Sequence, residues 1–467
     1  MNTPIIDAIR NYLDEKNLPF SMPGHKMGKS FLDYDIFDLF IKGDLTEVDG
    51  LDNLSKPEES IKDSLNLLSK TYKSKKSYYL VNGSTSGNLI MIFSALKEGD
   101  KVLVERGCHK SIFNGIILRK LKPVYVNYKV DKNFNAPLTI DKEHLNFVLE
   151  SNNDIKAAIL TYPSYYGTAL DLEKIIDKCK KRSIKILVDS AHGAHFGVSP
   201  KLPKSAIEMG ADMVVMSAHK TLPSLTQTAF LHIGDIKLKD KVEFYLSCFS
   251  TTSPSYAFMM SMDFARAYLD EYGKEHYEDL VNLCEGLKNK IDKLKLFKCL
   301  SEKTLDNNDI SVDKSRIVIN VGKGFSGHRL LDYLRKNKIQ CEMSDYSNVV
   351  LIPSTFNDKY EFEYIYKVLS KCNERDIKED FEMLYTNYVP KMGVCPHEAM
   401  DRNKKTVDYR NSEGLICGQN IVPYPPGIPL IIMGEVIDYN VINQLEQYIK
   451  SGVSVLGLNN NNIWILE

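Results

Sequence analysis

Short apolar segments alternate with helix-forming segments from Ser77 onward, and this alternation constrains the fold more than any other feature of the chain. The apolar segments have the length and composition of buried strands. The predicted strands are Ser77–Val81, Lys101–Glu105, Pro123–Asn127, Ala157–Tyr162, Ile184–Asp189, Met213–Ser217 and Ala229–Ile233, with predicted helices at Ser86–Leu96 and His109–Arg119. Repeated strand–helix units of this kind predict an α/β protein with a mostly parallel sheet and helices on both faces.

With 467 residues, the chain is long enough for more than one domain. Residues 1–55 are predicted to form an N-terminal arm with an amphipathic helix at Ile5–Leu13. Residues 56–310 would form the large domain and residues 311–467 a smaller C-terminal α+β domain. The stretch Ala257–Leu296 has a helical pattern without proline and would connect them. For the smaller domain, the sequence predicts strands and helices at Ile317–Val321, Gly327–Lys336, Val349–Ile352 and Tyr360–Cys372.

Composition excludes several classes of function. Lys and Arg together number 60 against 61 for Asp and Glu, so no net charge recruits nucleic acid or an anionic membrane. No apolar run approaches the roughly 18 residues that span a bilayer, and the first residues lack a secretory signal pattern. The 9 cysteines include no Cys-x-x-Cys pair, which indicates reduced thiols. We therefore expect a cytoplasmic protein with neither nucleic acid nor membrane as a partner.

Two predicted strands end beside side chains of opposite charge. Asp189 ends one strand, and Lys220 follows shortly after the strand Met213–Met216. Ligands of open parallel sheets bind at the carboxyl ends of the strands, so both side chains are expected at one edge. An amine and a carboxylate in this position suit pyridoxal phosphate (PLP). A lysine bonds the PLP aldehyde, and an aspartate keeps its pyridine nitrogen protonated.

The segment Asn82–Asn88 follows a predicted strand and begins a helix. It contains three successive hydroxyl side chains, those of Ser84, Thr85 and Ser86. Backbone N–H groups at a helix N-terminus attract anions, and hydroxyls add donors, so this segment is predicted to bind one phosphate group. An ordinary helix N-cap is the alternative, although a cap needs one hydroxyl and not three.

Three histidines follow predicted strands. His109 would suit a position stacked on a pyridine ring, and an exposed loop histidine is the alternative. His192 and His195, together with Asp189, would suit a metal site, since histidines near a strand end occur as ligands. No cysteine set or Glu-flanked His-x-x-x-His pair completes such a site, so we predict no metal.

Several of these segments recur together in one known family. The chain resembles the Orn/Lys/Arg decarboxylase family, PLP enzymes with the aspartate-aminotransferase fold (fold type I), in a compact form without the additional N-terminal receiver-like domain of larger members. The likeness covers nearly the whole chain, and its motifs are specific when they occur in this order. The matching segments are Pro23–Lys26, Asp44–Asn53, Asn82–Asn88, Cys108–Ser111, Asp189–His195, Ser217–Lys220, Thr251–Tyr256 and Val422–Leu430.

The resemblance implies a role for each chemically reactive residue. Lys220 would bond PLP, and Asp189 would pair with the pyridinium nitrogen, which places the cofactor in the large domain. His109 would stack on the ring, and His192 would lie near the phenolic oxygen. The proton that the substrate carbon gains after loss of CO2 would come from His219 or Lys220, and the sequence does not decide between them.

The resemblance also implies how the phosphate is held. Donors would come from Ser84, Thr85, Ser86 and Ser217. In this fold the site lies at a dimer interface, so Thr251 and Thr252 would reach the phosphate of the neighbouring subunit. We therefore expect a homodimer or a higher homo-oligomer, and the sequence does not decide which.

One motif departs from the family. The family often has Pro-Gly-Glu where this chain has Met433-Gly434-Glu435. Glu435 retains the carboxylate and is our candidate for binding the distal cation of the substrate. A surface carboxylate is the alternative.

The resemblance implies decarboxylation of a basic amino acid to CO2 and the corresponding polyamine-type amine. Arginine and lysine are placed ahead of ornithine, and likeness to compact members favours arginine. Two alternatives stay open: another fold-type-I activity, such as an aminotransferase or a lyase, and a PLP-binding regulatory protein without turnover.

Overall fold

A seven-stranded sheet is the centre of the computed structural model, which describes residues 2–305, 309–379, 388–424 and 427–467. Its strands in chain order are β1 (Lys76–Leu80), β2 (Lys101–Glu105), β3 (Lys122–Val126), β4 (Ile155–Thr161), β5 (Lys185–Asp189), β6 (Met213–Met216) and β7 (Ala229–Ile233). Their order across the sheet is β1-β7-β6-β5-β4-β2-β3. β7 is antiparallel to both of its neighbours, and the other neighbouring pairs are parallel. The predicted α/β class and mostly parallel sheet are confirmed.

Alternating side chains of the central strands enter two separate apolar cores. On β5 and β6, Ile186, Val188 and Val214 pack into one cluster, whereas Leu187 and Val215 pack into the other. Successive strand residues point to opposite faces, so continuous aliphatic segments need cover on both sides. Helices provide that cover, at Ser60–Thr71, Gly83–Ala95, Lys110–Leu118, Lys142–Ser151, Glu173–Lys180 and Lys239–Phe249.

The N-terminal arm is tied to the C-terminal half of the chain. Its helix, predicted at Ile5–Leu13, extends over Pro4–Asp14 and buries none of its residues. The strand Leu18–Phe20 then pairs in parallel with Ile339–Cys341. Shorter helices follow at Lys29–Asp33 and Leu39–Lys42.

The predicted helical stretch Ala257–Leu296 is two helices, Tyr256–Glu271 and Gly273–Ile291, which are separated at Tyr272. A second, antiparallel sheet follows, with strands β8 (Lys298–Cys299), β9 (Ile317–Asn320), β10 (Met343–Ser344) and β11 (Asn348–Leu351) in the order β8-β9-β11-β10. Helices Gly327–Lys336 and Lys359–Leu369 accompany it, close to their predicted positions. The domain boundaries at residues 55/56 and 310/311 stay predictions.

Residues 388–467 have an apolar core of their own, formed by side chains such as Tyr409, Ile431 and Ile463. The sequence predicts no strands here, because the strands are short and partly exposed. The elements are Pro396–Asp401, Lys404–Asp408, Val422–Tyr424, Tyr439–Lys450, Ser454–Leu456 and Asn462–Leu466. Two further antiparallel pairs are also absent from the predictions: the hairpin of Tyr128–Asp131 with Ala136–Ile140, and the long-range pair of Thr168–Leu170 with Ile310–Val312. No helix within the described part of the chain is long and apolar enough to cross a membrane.

Candidate active site

The structure brings Asp189 and Lys220 to the same edge of the sheet. Asp189 is the last residue of β5 and pairs with Val215 of the parallel strand β6. β6 ends at Met216, and Lys220 lies in the short helix Ala218–Thr221 that follows. Parallel strands end together, so both side chains lie at the carboxyl edge that the sequence predicts.

Asp189 is a buried carboxylate with fixed partners. It is 3% exposed, and one of its oxygens accepts a hydrogen bond from Asn88 Nδ2 at 2.7 Å. Its other oxygen accepts the backbone N–H of Ala191 at 3.0 Å. Asn88 Nδ2 also donates to Ser111 Oγ, and this contact joins the helices Gly83–Ala95 and Lys110–Leu118. The carboxylate orientation is therefore set before any ligand binds.

The amine of Lys220 is partly buried and lies 3.0 Å from His192 Nε2. Burial lowers the pKa of Lys220 to about 8, and the charge of Arg316 acts in the same direction. The carboxylates of Asp189 and Glu342 oppose this shift. The neutral, nucleophilic amine is therefore the minority form of Lys220 near neutral pH, but it is far more abundant than in an ordinary lysine.

His192 is held between three side chains. Its Nδ1 lies 3.4 Å from Arg316 Nη1, and its ring lies 4.7 Å from the ring of Tyr165. Burial holds the pKa of His192 well below its ordinary value, and the cations Lys220 and Arg316 lower it further. His192 is therefore a neutral imidazole.

His109 and His219 lie at the same edge. His109 precedes the helix Lys110–Leu118, and its Nδ1 lies 2.8 Å from Ser111 Oγ. Its pKa is lowered by burial of the ring, while the charges of Asp189 and Lys220 act in opposite directions. His219 Nδ1 lies 3.0 Å from the carbonyl of Thr228, and burial lowers its pKa as well.

The predicted phosphate segment begins the helix Gly83–Ala95, whose N-cap residue makes no side-chain cap hydrogen bond. Ser217 Oγ donates to Ser84 Oγ at 2.9 Å, so the hydrogen of Ser84 remains available to a ligand. Ser86 Oγ instead donates to the carbonyl of Gly83, and Thr85 is exposed. Thr251 and Thr252 are exposed, and their contribution to a second subunit stays a prediction.

Glu435 lies in a different environment from the one that the sequence suggests. It is fully buried, so the alternative of a surface carboxylate is wrong. Both of its oxygens accept hydrogen bonds from Arg106, and one also accepts the N–H of Ile432. No hydrogen bond within the described ranges joins Glu435 to Lys220 or Asp189, so binding of the substrate cation stays a prediction that would require Arg106 to move.

His195, a candidate metal ligand together with His192, has other partners. Its Nε2 lies 3.1 Å from Asp313 Oδ2, and its ring stacks on Tyr277. Across the described residues, no group of three or more His, Cys, Asp or Glu side chains could hold a metal ion. In the motif Val422–Leu430, Pro425 and Pro426 lie outside the described residues.

Several neighbours of Lys220 are site residues that no sequence motif indicates. Arg316 directly precedes β9, and Glu342 directly precedes β10, so the second sheet positions both. Tyr165 OH donates to Glu342 Oε1 at 2.6 Å. No local pattern marks these residues, whereas Asn88 belongs to the phosphate motif and could have been found there.

The residues present fit PLP. A partly neutral lysine and a buried aspartate lie at one sheet edge, and a helix N-terminus without a side-chain cap provides free N–H donors for a phosphate. The hydroxyl hydrogen of Ser84 adds a further donor. This set matches the aldehyde, the pyridine nitrogen and the phosphate of the cofactor.

Known proteins of one decarboxylase family match almost the whole chain. The model of the Orn/Lys/Arg decarboxylase major domain matches residues 3–360, and that of the C-terminal domain matches residues 378–456. The uncharacterized protein YaaO of Bacillus subtilis (strain 168) is 35% identical, over 98% of this chain and 96% of its own length. The arginine decarboxylase of the same organism is 26% identical, over 97% of this chain and 95% of its own length.

Among solved structures, the lysine decarboxylase LdcF of Francisella novicida superimposes with a TM-score of 0.79. It is 21% identical and aligns over 99% of this chain and 83% of its own. The predicted fold and the predicted family are both confirmed. The chain therefore belongs to the Orn/Lys/Arg decarboxylase family, amino-acid decarboxylases with the fold type I of PLP-dependent enzymes.

Proposed function

We propose that this protein is a PLP-dependent decarboxylase of a basic amino acid, arginine or lysine ahead of ornithine, that releases CO2 and the corresponding amine. One observation carries the proposal. Lys220 and the buried Asp189 lie together at the carboxyl edge of a fold-type-I sheet, in a chain of a decarboxylase family.

PLP, when bound, accepts the electron pair that remains as the Cα–carboxylate bond breaks. Asp189 would hold the proton on the pyridine nitrogen, because a buried carboxylate favours a nearby positive charge. His109 would cover one ring face, and Ser84 would donate to the phosphate together with the helix N-terminus. His192 would donate to the phenolic oxygen. Lys220 would bond the aldehyde and be released as an amine when substrate binds.

A side chain of the protein would supply the proton that the reaction needs. The substrate carbon gains one proton after CO2 leaves, and either Lys220 or His219 would deliver it. Lys220 has a pKa of about 8, which suits exchange of a proton near neutral pH.

Arginine is the substrate that we place first. Support comes from the Bacillus subtilis relative named arginine decarboxylase, which aligns over almost the full length of both chains. Arginine and lysine differ in a planar guanidinium against a compact ammonium, so the distal end of the site would decide between them. Glu435 remains the candidate for that end.

We further propose a homodimer in which Thr251 and Thr252 reach the partner's phosphate, and a cytoplasmic location. Exposure of both threonines in the single chain supports the first proposal. The 9 cysteines of the sequence, all free, support the second.

One assay tests the activity. Purified protein with PLP is given carboxyl-labelled arginine, lysine or ornithine separately, and CO2, amine and keto acid are measured. CO2 with agmatine or cadaverine supports the proposal. Keto acid would instead indicate an aminotransferase, and a yellow protein without any product would indicate a regulatory protein.

A second experiment tests the covalent site. Borohydride reduction followed by peptide mass analysis is expected to find the cofactor adduct on Lys220, and Lys220→Ala is expected to lose the absorbance of lysine-bound PLP. An adduct on another lysine would contradict the proposed site.

A further inference from the structure

We propose that Arg316 is a positioning residue that fixes which nitrogen of His192 carries the proton, and that His192 thereby favours the neutral amine of Lys220. The inference rests on the proposed function of Lys220 and deepens it. It concerns a residue directly before β9 of the second sheet, which contacts His192, the neighbour of Lys220.

The guanidinium of Arg316 is fully enclosed by protein, with 2% of the residue exposed. Nη1 donates to the carbonyl of Tyr165 at 2.8 Å and lies 3.4 Å from His192 Nδ1. Asp313 lies on its other side, with Oδ2 3.9 Å from Arg316 Nε. A guanidinium only donates, so the nitrogen of His192 that faces it must present a lone pair.

The tautomer of His192 follows from this contact. A neutral imidazole with a lone pair on Nδ1 carries its hydrogen on Nε2. Nε2 is the atom that lies 3.0 Å from Lys220 Nζ. An ammonium has three donors and no acceptor, so a protonated Lys220 would place its N–H donors opposite the N–H of His192 Nε2, with no acceptor between them. Only the neutral amine accepts the hydrogen bond.

The other groups around this contact agree with that assignment. His192 also faces His219, His109 and the ring of Tyr165. Within the part of the chain that the structure describes, no carboxylate forms a hydrogen bond with His192 that could stabilise a second proton. Lys220 faces the carboxylates of Asp189 and Glu342, which favour the ammonium, and burial with Arg316 outweighs them. The lowered pKa values of both side chains have the direction that the hydrogen-bond geometry requires.

The consequence concerns cofactor loading. Addition of an amine to an aldehyde needs the lone pair of the nitrogen. With His192 fixed as the Nε2–H tautomer, Lys220 needs no external base, and its one lone pair is freed for the aldehyde when the Nε2 hydrogen turns from the amine to the phenolic oxygen. The hydrogen on Nε2 can then be donated to this oxygen, because Nδ1 still accepts from Arg316.

Histidine nitrogen spectroscopy tests the tautomer directly. Full-length protein labelled with 15N-histidine is recorded with and without PLP, and the His192 signals are identified from their loss in His192→Gln. We expect a neutral ring with hydrogen on Nε2 in both states. A hydrogen on Nδ1, or a protonated ring near neutral pH, would overturn the proposal.

Competitive acetylation of the full-length chain, freed of PLP and analysed by peptide mass spectrometry, measures the pKa of Lys220. Arg316→Gln removes the charge and keeps a donor, whereas Arg316→Met removes both. We expect the Met variant to raise the pKa of Lys220 by about one unit more than the Gln variant, since only the Met variant frees the tautomer. Equal shifts in the two variants would mean that charge alone acts and would refute the proposal.

Arg266→Gln is the matched control, because Arg266 is a partly buried arginine paired with Asp263 and is not in contact with the site. Its Lys220 pKa is expected to equal that of the unmodified protein. If the Met variant fails to fold, the nitrogen spectrum of the unmodified protein still decides the question. Borohydride trapping reports separately on PLP attachment, so failure of the proposed function is distinguishable from failure of this inference.

Discussion

Arg106 donates to both carboxylate oxygens of Glu435, at 2.7 and 2.8 Å, although 329 residues separate them in the chain. The side chains are 1% and 0% exposed. Burial alone would lower the pKa of Arg106, but the charge and hydrogen bonds of Glu435, with smaller contributions from Tyr125 and Tyr128, together offset it, so that pKa lies above its ordinary value. The pair joins the loop after β2 to the C-terminal region.

Glu435→Gln is expected to destabilise the protein by about 3–5 kcal/mol, because it leaves a buried guanidinium without a counter-charge. Urea unfolding measures this loss. Glu446→Gln removes an exposed carboxylate paired with Lys450 and should change stability by less than about 0.5 kcal/mol. If Glu435→Gln instead raised KM for the basic amino acid at unchanged stability, Glu435 would act as a substrate ligand.

Glu105 should give the stability of this protein a distinct pH dependence. It is 7% exposed and accepts the N–H of Thr161. Burial, with a contribution from the charge of Asp189, raises its pKa from 4.5 to about 7. Between these two pKa values the native state binds more protons than the unfolded state. The stability that protonated Glu105 contributes is therefore complete below pH 4.5 and is lost as pH rises through 7.

Glu105→Gln removes that titration and retains an acceptor for Thr161. From about pH 4 to about pH 8, the unfolding free energy of the unmodified protein should therefore fall by about 3 kcal/mol relative to that of the variant. Urea unfolding at both pH values provides the comparison. Parallel pH profiles for the two proteins would show that Glu105 does not titrate in this range.

Asp189→Asn should retain PLP and lose turnover by about 100-fold or more, because the amide cannot stabilise a protonated pyridine nitrogen. The amide oxygen still accepts a hydrogen bond from Asn88 or Ala191, so the fold should persist. Cofactor absorbance and the rate of CO2 release measure the two effects. Asp240→Asn, in the helix Lys239–Phe249, is the control. Turnover equal to that of the unmodified protein would remove the proposed role of Asp189.

Gly24→Ala should weaken PLP binding. A Cβ at this position would lie 2.4 Å from the carbonyl oxygen of Leu222. The Gly24 N–H donates to the carbonyl of His219 at 2.8 Å, so the backbone that carries Lys220 would have to shift. We expect a loss of about 1–3 kcal/mol in stability and a higher Kd for PLP, measured by absorbance titration.

The matched control for that substitution is Gly286→Ala. Gly286 lies within the helix Gly273–Ile291, and a Cβ there would meet nothing within 4 Å. Alanine should leave PLP binding unchanged and add about 0.5–1 kcal/mol of stability. Equal PLP affinity in both glycine variants would mean that the contact between Gly24 and Leu222 does not position Lys220.

The strands of the central sheet could be predicted because the signal for each of them is local in the sequence. Two of them, β2 and β7, have the predicted bounds, since a buried strand needs an uninterrupted apolar segment. The short strands of residues 404–466 escaped prediction because cross-strand pairing, and not composition, makes them strands. The break at Tyr272 between two helices likewise has no proline to signal it.

By itself, the sequence determined the sheet, the family and the residues at the carboxyl edge. Asp189 and Lys220 each follow an apolar strand, and parallel strands end at a common edge whatever the rest of the chain does. Only the tertiary structure decided that Glu435 pairs with Arg106 and that Arg316 contacts His192. These contacts join distant segments through burial, and a buried charge takes whichever partner the packing brings within reach.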